Sequence, residues 1–225
     1  QYTDQFIHKY INVTIPIYSI NKEKLLQYKF DAYIVGSDQV WRPKYSRGIA
    51  NYFLDFTDGE NVKKIAYAAS FGTDRWEFTP KMTKRCAKLL KKFDAVSVRE
   101  DSGVILCERF MGVEAIHLLD PTLLLNQKDY IDLVLQDNAP EFRDKLFTYI
   151  LDESEEKRKI VNFVSEKLKL TPFSVMPKKI FDRVGTKYLE QCIFPPVTSW
   201  LRAFMDAEYI VTDSFHGTVF SIIFN

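Results

Sequence analysis

The chain has 225 residues, of which 46% are hydrophobic and 27% are charged, and its formal net charge is +1. This composition excludes a low-complexity chain, and the near-neutral charge provides no overall field that would favour nucleic acid. No apolar run reaches the roughly 18 residues that a membrane-spanning helix needs. The three scattered cysteines, Cys86, Cys107 and Cys192, show neither the spacing of a disulfide scaffold nor that of a metal site.

Apolar segments bounded by turn residues alternate with helical patterns along the chain. Strands are predicted at 31–36, 63–72, 94–99, 113–119, 146–151 and 207–213, and helices at 79–92, 100–111, 127–137, 154–168 and 196–206. This alternation predicts an α/β fold with parallel sheets and helices on both faces.

A domain boundary is predicted within 118–126, because the Asp-Pro pair at Asp120 interrupts the strand pattern. The two domains are then 1–120 and 121–225, and we expect two Rossmann-like domains that face a cleft at the carboxyl ends of their strands. The chain starts without Met and ends directly after an apolar run, so we expect it to be part of a longer protein with both domains incomplete.

Four polar clusters follow predicted strands, at 36–41, 70–73, 97–101 and 212–218. In the last of them, Asp213 or Ser214 suits the N-cap of a helix, which puts His216 in the first turn. The amides and the dipole of that turn would form an anion site, and Gly217 would permit close approach of the backbone. In the other interpretation, His216 only packs against the sheet.

The remaining clusters offer further candidates, each with a structural alternative. Arg99 either forms a salt bridge to Glu100 or Asp101 or clamps a carboxylate or phosphate through its planar guanidinium. Asp38 either caps the turn after the first strand or points into the cleft as a base. Candidate hydroxyl or backbone donors come from the first two clusters, namely Ser37, Ser70 and Gly72.

Three other features have two interpretations each. Trp41 either stacks on a sugar ring or fills the hydrophobic core, and His117 lies inside a strand pattern that favours a packed core or boundary position. The segment 81–93 carries six Lys or Arg residues and no acid on a helical pattern. Its basic face is either solvated or attracted to an anionic membrane or a phosphorylated lipid carrier.

The sequence resembles the polysaccharide pyruvyl transferase family. The resemblance rests on the segments "FDAYIVGSDQVWRP" (30–43), "KKIAYAASFG" (63–72), "VSVREDSGV" (96–104), "LLDPTLLL" (118–125) and "EYIVTDSFHGTVFSIIFN" (208–225), which occur in the family's order. Family members usually begin with an extra strand and a loop rich in glycine and asparagine, and they continue past "SIIFN"; neither part is in this chain.

The resemblance implies a fold like that of two-Rossmann (GT-B-like) glycosyltransferases, with the acceptor side in 1–120 and the donor side in 121–225. It implies transfer of a pyruvyl group from phosphoenolpyruvate to two hydroxyls of a sugar in a bacterial cell-surface polysaccharide or its lipid-linked precursor, giving a ketal. His216 and Ser214 fall in the family's donor motif, and Arg99 falls on its strand-end arginine. Asp38 would be the base and His216 the acid.

This chemistry requires neither a cofactor nor a metal. The scattered cysteines favour a reducing, cytoplasmic location, and the basic segment 81–93 leaves open a peripheral position at the inner face of the membrane. Two other functions remain open at this point. One is a nucleotide-sugar glycosyltransferase on the same fold, which would also place phosphates at a helix N-terminus. The other is a non-catalytic glycan-binding or assembly protein.

Overall fold

The computed structural model describes residues 2–16, 25, 27–57, 59, 61–178 and 185–224. The chain divides into two compact units, one comprising Thr14–Leu124 and the other Gln1–Val13 together with Leu125–Asn225. We call them the four-strand unit and the three-strand unit. The first helix, α1 (Tyr2–Tyr10), belongs to the three-strand unit, whereas the sequence analysis assigned 1–120 to one domain.

The four-strand unit contains a parallel sheet in the order β1-β2-β3-β4, formed by Ala32–Val35, Lys63–Ala69, Ala95–Val98 and Ile116–His117. Helix α2 (Pro80–Leu90) connects β2 to β3, and α3 (Asp101–Leu106), extended by a π turn at Cys107–Met111, connects β3 to β4. Two 3-10 helices, Ile49–Phe53 and Asp55–Thr57, lie between β1 and β2, and a third, Pro121–Leu124, follows β4.

The three-strand unit contains a parallel sheet in the order β6-β5-β7, formed by Lys145–Tyr149 (β5), Thr171–Phe173 (β6) and Tyr209–Thr212 (β7). Its further helices are α4 (Gln127–Gln136), α5 (Glu155–Leu168), α6 (Val197–Asp206) and α7 (Phe215–Phe224), with a 3-10 segment at Gly185–Cys192. Strand β5 lies in the centre of this sheet. The chain passes from β5 to β6 on one side, and from β6 it crosses β5 to reach β7 on the other side. The carboxyl ends of β5 and β7 therefore form a topological switch point.

Local sequence explains where the helices begin. Thr79 caps α2 by accepting from the Met82 amide at 3.3 Å, and Pro80 occupies the first helical position. Asn126 and Asp129 form a capping box at the start of α4. The predicted α/β fold with parallel sheets is confirmed. Two elements were not predicted from the sequence, namely α1 and β6, a three-residue strand that contains a proline.

A bulge in β2 shapes the carboxyl end of the four-strand sheet. The pairing between β2 and β3 shifts between Ala66 and Ala69, and Ala68 has a φ of 47°. The buried Ser97 hydroxyl bridges the irregularity, donating to the Ala66 carbonyl and accepting from the Ala68 amide, both at 2.9 Å. These bonds satisfy backbone groups that the bulge removes from the ladder, so the strand end is held in a fixed position.

Candidate active site

A buried arginine gathers carboxylates at the carboxyl end of the four-strand sheet. Arg99, which follows β3, is 7% exposed, and its Nη1 lies 3.1 Å from Asp120 Oδ2. Its Nε donates to Glu100 Oε1 at 3.1 Å, and Asp38 Oδ1 lies 3.7 Å from Nη1. The salt bridge to Glu100 that the sequence suggested is therefore present, and the main buried partner is Asp120.

Asp120 connects the ends of three strands. Its Oδ2 accepts from the Ser37 hydroxyl at 2.5 Å, and its Oδ1 accepts from the Thr122 amide at 3.1 Å and the Thr122 hydroxyl at 2.9 Å. Burial would raise the pKa of this carboxyl, but the hydrogen bonds from Ser37, Thr122 and Arg99 outweigh burial and lower the pKa below its ordinary value. Asp120 therefore stays ionised opposite Arg99.

Ser70 and Gly72 support this cluster from the end of β2. Ser70 has no exposed surface, and its hydroxyl donates to Glu100 Oε1 at 2.7 Å while accepting from the Gly72 amide at 2.9 Å. Gly72 has a φ of 66°, which favours glycine. Both donors are thus used inside the protein, so we interpret these two residues as supports of the cluster.

Asp38 is the part of the cluster that faces solvent. Its side chain is 72% exposed, and its backbone carbonyl accepts from the amides of Ser70 at 2.9 Å and Val40 at 2.8 Å. Three carboxylates, of Asp38, Glu100 and Asp120, surround one guanidinium. This surplus of negative charge suits hydroxyl donors better than it suits a phosphate, which weakens the interpretation of Arg99 as an anion clamp.

A second group of polar residues lies at the switch point of the three-strand sheet. Asp213, directly after β7, accepts from the amides of Leu151 at 2.8 Å and Asp152 at 3.3 Å, and its Oδ2 lies 2.5 Å from Lys157 Nζ. Burial would raise its pKa, but Lys157 and the two amides hold the pKa below its usual range. Burial, followed by the charge of Asp213, raises the pKa of Tyr149. Asp213 thus fastens the loop after β5 to the loop after β7.

Ser214, and not Asp213, caps helix α7. Its Oγ accepts from the Gly217 amide at 3.3 Å, and its carbonyl accepts from the Thr218 amide at 2.9 Å. The Thr212 hydroxyl donates to the Tyr149 carbonyl at 2.7 Å and accepts from the Ser214 amide at 3.1 Å. This network fixes the start of α7 at the carboxyl end of the sheet.

His216 lies in the first turn of α7, as the sequence predicts. Its side chain is half-buried, and its ring contacts that of Phe215 edge to face, with centroids 5.2 Å apart. The positive end of the helix dipole is strongest in this turn. A partly exposed imidazole there can exchange a proton with a ligand and also contact an anion.

Gly217 is needed for close packing between α7 and β7, a role that was not predicted from the sequence. It is buried, and a Cβ at this position would overlap Thr212 Oγ1 and lie 3.0 Å from Thr212 Cβ. The absence of a side chain therefore lets α7 start close against the end of β7.

Gly217→Ala is expected to lower the free energy of unfolding by roughly 1 to 3 kcal/mol, because the added methyl group overpacks the contact with Thr212. Thr212→Ala removes the overlapping hydroxyl and should recover part of that loss in the double variant. Urea unfolding of the four proteins of this cycle measures the coupling. Unchanged stability in Gly217→Ala would contradict the packing role.

The structure decides the interpretations of Trp41 and His117. Trp41 has no exposed surface and stacks on Phe53 with centroids 4.9 Å apart, so it fills the core and does not face a sugar. Of the two positions predicted for His117, the packed core is excluded, because the residue is exposed on β4 and its Nε2 donates to the Arg99 carbonyl at 2.9 Å.

The basic segment 81–93 forms most of α2. Cys86 and Leu90 face the core, and Arg85 pairs with Asp55 at 2.7 Å. Within the described residues, none of the helices combines the length and the apolar content that crossing a bilayer requires. Attraction of this face to a membrane stays a prediction.

Sequence reasoning missed two residues that organise these groups. Asp120 was considered only as part of an Asp-Pro interruption, although a carboxylate directly after a predicted strand is itself a signal. Lys157 lies in the first turn of α5, where the Ser154 cap accepts from its amide at 3.3 Å. Nothing in its local sequence indicates the partner Asp213.

Comparison with known proteins gives one result. A family model described as polysaccharide pyruvyl transferase matches residues 1–225, the whole chain. No curated protein and no solved structure matches the chain. The family match confirms the resemblance predicted from the sequence, and the chain belongs to the polysaccharide pyruvyl transferase family.

Proposed function

We propose that the protein transfers a pyruvyl group from phosphoenolpyruvate to two hydroxyls of one sugar, forming a cyclic ketal and releasing phosphate. The acceptor is a cell-surface polysaccharide or its lipid-linked precursor. The observation that carries this proposal is the position of His216 in the first turn of α7, at the switch point of a parallel sheet and in a chain of this family.

The donor is proposed to bind at the start of α7. Phosphoenolpyruvate carries a carboxylate and a phosphate, and the positive end of a helix attracts such groups. Ser214 and Thr212 fix the direction of the helix through hydrogen bonds, and Lys157 offsets the negative charge of Asp213 beside it. His216 then stands next to the bound anion.

The proposed reaction begins with a proton from His216 to the methylene carbon of phosphoenolpyruvate, which leaves an oxocarbenium-like centre at C2. One sugar hydroxyl adds to C2 and loses its proton to a base. The bond between C2 and the phosphate oxygen then breaks, phosphate leaves, and the second hydroxyl adds to C2 and gives up its proton to close the ring. General acid–base help of this kind contributes about 10²- to 10⁴-fold.

The acceptor is proposed to bind at the carboxylate cluster of the four-strand unit. Asp38 is the candidate base, because its exposed carboxylate can accept a proton from a substrate hydroxyl. Arg99, which the sequence suggested as a phosphate clamp, is proposed to hold Asp120, Glu100 and Asp38 in place. The GT-B-like fold class that the sequence resemblance implies is part of this proposal.

Phosphoenolpyruvate is expected to stabilise the protein against heat, since a ligand at a hundred times its Kd adds roughly 2.7 kcal/mol. The measurement is a thermal-shift titration with phosphoenolpyruvate, uridine diphosphate sugars and guanosine diphosphate sugars, using pyruvate and inorganic phosphate as controls. Proton NMR of a mixture of phosphoenolpyruvate with methyl β-D-glucopyranoside, methyl β-D-galactopyranoside or methyl α-D-mannopyranoside as the acceptor should then show the ketal methyl signal. Stabilisation by a nucleotide sugar alone would contradict the proposal and favour a glycosyltransferase.

A further inference from the structure

An open pocket lies beside Asp38 in the four-strand unit, with a volume of about 320 Å³. Such a volume is at the lower end of the range for small-ligand sites, roughly 300 to 1,000 Å³. The residues that line it are Asp38, Gln39, Val40, Tyr45, Ser46 and Tyr52. We propose that this pocket, here called the Tyr45 pocket, binds one neutral hexopyranose ring of the acceptor. The inference rests on the proposed function, because it assigns the acceptor subsite of that reaction.

Hydrogen bonds on the buried side of the pocket fix the loop that forms it. Trp41 is fully buried, and its Nε1 donates to the Tyr52 carbonyl at 2.9 Å. The Ser46 hydroxyl donates to the Val40 carbonyl at 2.8 Å, and the amides of Tyr45 and Ser46 both donate to the Arg42 carbonyl at 3.0 Å. Because the pocket wall is ordered before binding, the loss of conformational entropy when a ligand binds is smaller.

Tyr45 gives this wall an aromatic face. The residue is 60% exposed, although the Arg42 guanidinium lies 4.9 Å from its ring centroid and the Lys44 ammonium lies 5.7 Å away. The face of an aromatic ring is electron-rich, which is why it attracts these cations. The C–H groups on one face of a pyranose carry small positive charges, so an aromatic face attracts them for the same reason. Of the two aromatic residues Trp41 and Tyr45, Tyr45 is therefore the one that can contact a sugar.

The polar groups of the pocket match the hydroxyls of such a ring. The exposed carboxylate of Asp38 accepts hydrogen bonds. Gln39 accepts from Arg42 Nη1 at 3.0 Å through its Oε1, and its NH₂ group can donate to a sugar oxygen. The Arg42 charge is paired with Glu77 at 3.2 Å, and the charges of Asp38 and Lys44 are opposite, so the pocket has no excess charge to select an ionic acceptor and favours a neutral sugar. A ring on Tyr45 presents its hydroxyls to Asp38, the proposed base.

The test uses three neutral probes at millimolar concentration: methyl β-D-glucopyranoside, methyl β-D-galactopyranoside and methyl α-D-mannopyranoside. Saturation-transfer NMR detects which probe contacts the wild-type protein and gives its Kd. Tyr45→Ala is expected to weaken binding of that probe about tenfold, whereas Tyr45→Phe, which keeps the ring, should restore it. Phe30→Ala, which removes another exposed aromatic ring from the same unit, is the matched control and should leave the Kd unchanged.

The same variants in the pyruvyl-transfer assay separate this inference from the proposed function. Tyr45→Ala should raise the acceptor KM about tenfold, while the KM for phosphoenolpyruvate stays within twofold. If Tyr45→Ala binds the acceptor with wild-type affinity, the inference is overturned and the proposed transfer is left intact. The same conclusion follows if the wild-type protein binds none of the three probes. Tyr45-dependent binding of a probe without any pyruvyl transfer would support the pocket and contradict the proposed function.

Discussion

His216→Ala is expected to lower kcat for pyruvyl transfer from phosphoenolpyruvate by about 10²- to 10⁴-fold, because it removes the proposed general acid. The imidazole lies in the first turn of α7, whose start is fixed by the Ser214 cap and by the bond from the Ser214 amide to Thr212. The measurement is the initial rate of phosphate release at saturating donor and acceptor. Because His216 is half-buried, the variant should keep its fold.

The matched control is His8→Ala, which removes an exposed histidine of α1 whose Nδ1 donates to the Asp4 carbonyl at 2.8 Å. Its kcat should stay within twofold of the wild-type value. Circular dichroism of His216→Ala should match that of the wild type, so that a loss of rate reports on chemistry. A kcat within fivefold of wild type in a folded His216→Ala protein would remove this residue from the proposed mechanism.

Asp120→Asn is expected to lower the free energy of unfolding by roughly 1 to 3 kcal/mol, because it weakens the charge-assisted hydrogen bonds from Ser37, Thr122 and Arg99. Glu100 and Asp38 still face the Arg99 guanidinium in this variant. Asp120 and Arg99 are both almost fully buried, with side chains 2% and 5% exposed. Urea unfolding at pH 7 measures the effect. The control is Asp55→Asn, which breaks the more exposed pair with Arg85 and should cost at most about 1 kcal/mol.

The pH dependence of this difference provides a second check. Because the pKa of Asp120 is lowered in the folded state, its stabilising contribution is fully present above its unfolded pKa of about 3.9. The contribution is lost as the pH falls through the lower, folded pKa. The stability difference between wild type and Asp120→Asn should therefore be constant from pH 7 to about pH 5 and shrink below about pH 4. A difference that grows on acidification would contradict the assigned ionisation of Asp120.

Together these two variants test different parts of the proposal. A loss of rate in His216→Ala with normal stability reports on the donor side, where α7 begins. A loss of stability in Asp120→Asn reports on the cluster that holds Arg99, Ser37 and Asp38. If Asp120→Asn also raises the acceptor KM at a temperature where it stays folded, the cluster supports acceptor binding as well as folding.

Local sequence patterns determined much of the fold. Strands and helices were predicted where apolar periodicity is strong. The structure shows side-chain caps at the starts of two of these helices, at Thr79 and Ser154. The start of α7 was predicted because Ser214 is a good cap. β6 was missed because three residues with a central proline carry almost no pattern. The family was also recognised from the sequence, because five of its characteristic segments occur in the chain in the same order as in the family.

The partners of the buried charges were decided only by the tertiary structure. Ser37 and Asp120 are 83 residues apart, Arg99 and Asp120 are 21 apart, and Asp213 and the Leu151 amide are 62 apart. Sequence places each of these residues after a strand, but the order of strands in the sheet determines which ends are neighbours. Likewise Trp41 and Tyr45 are both aromatic residues of one loop, and only packing against Phe53 buries the first and leaves the second exposed.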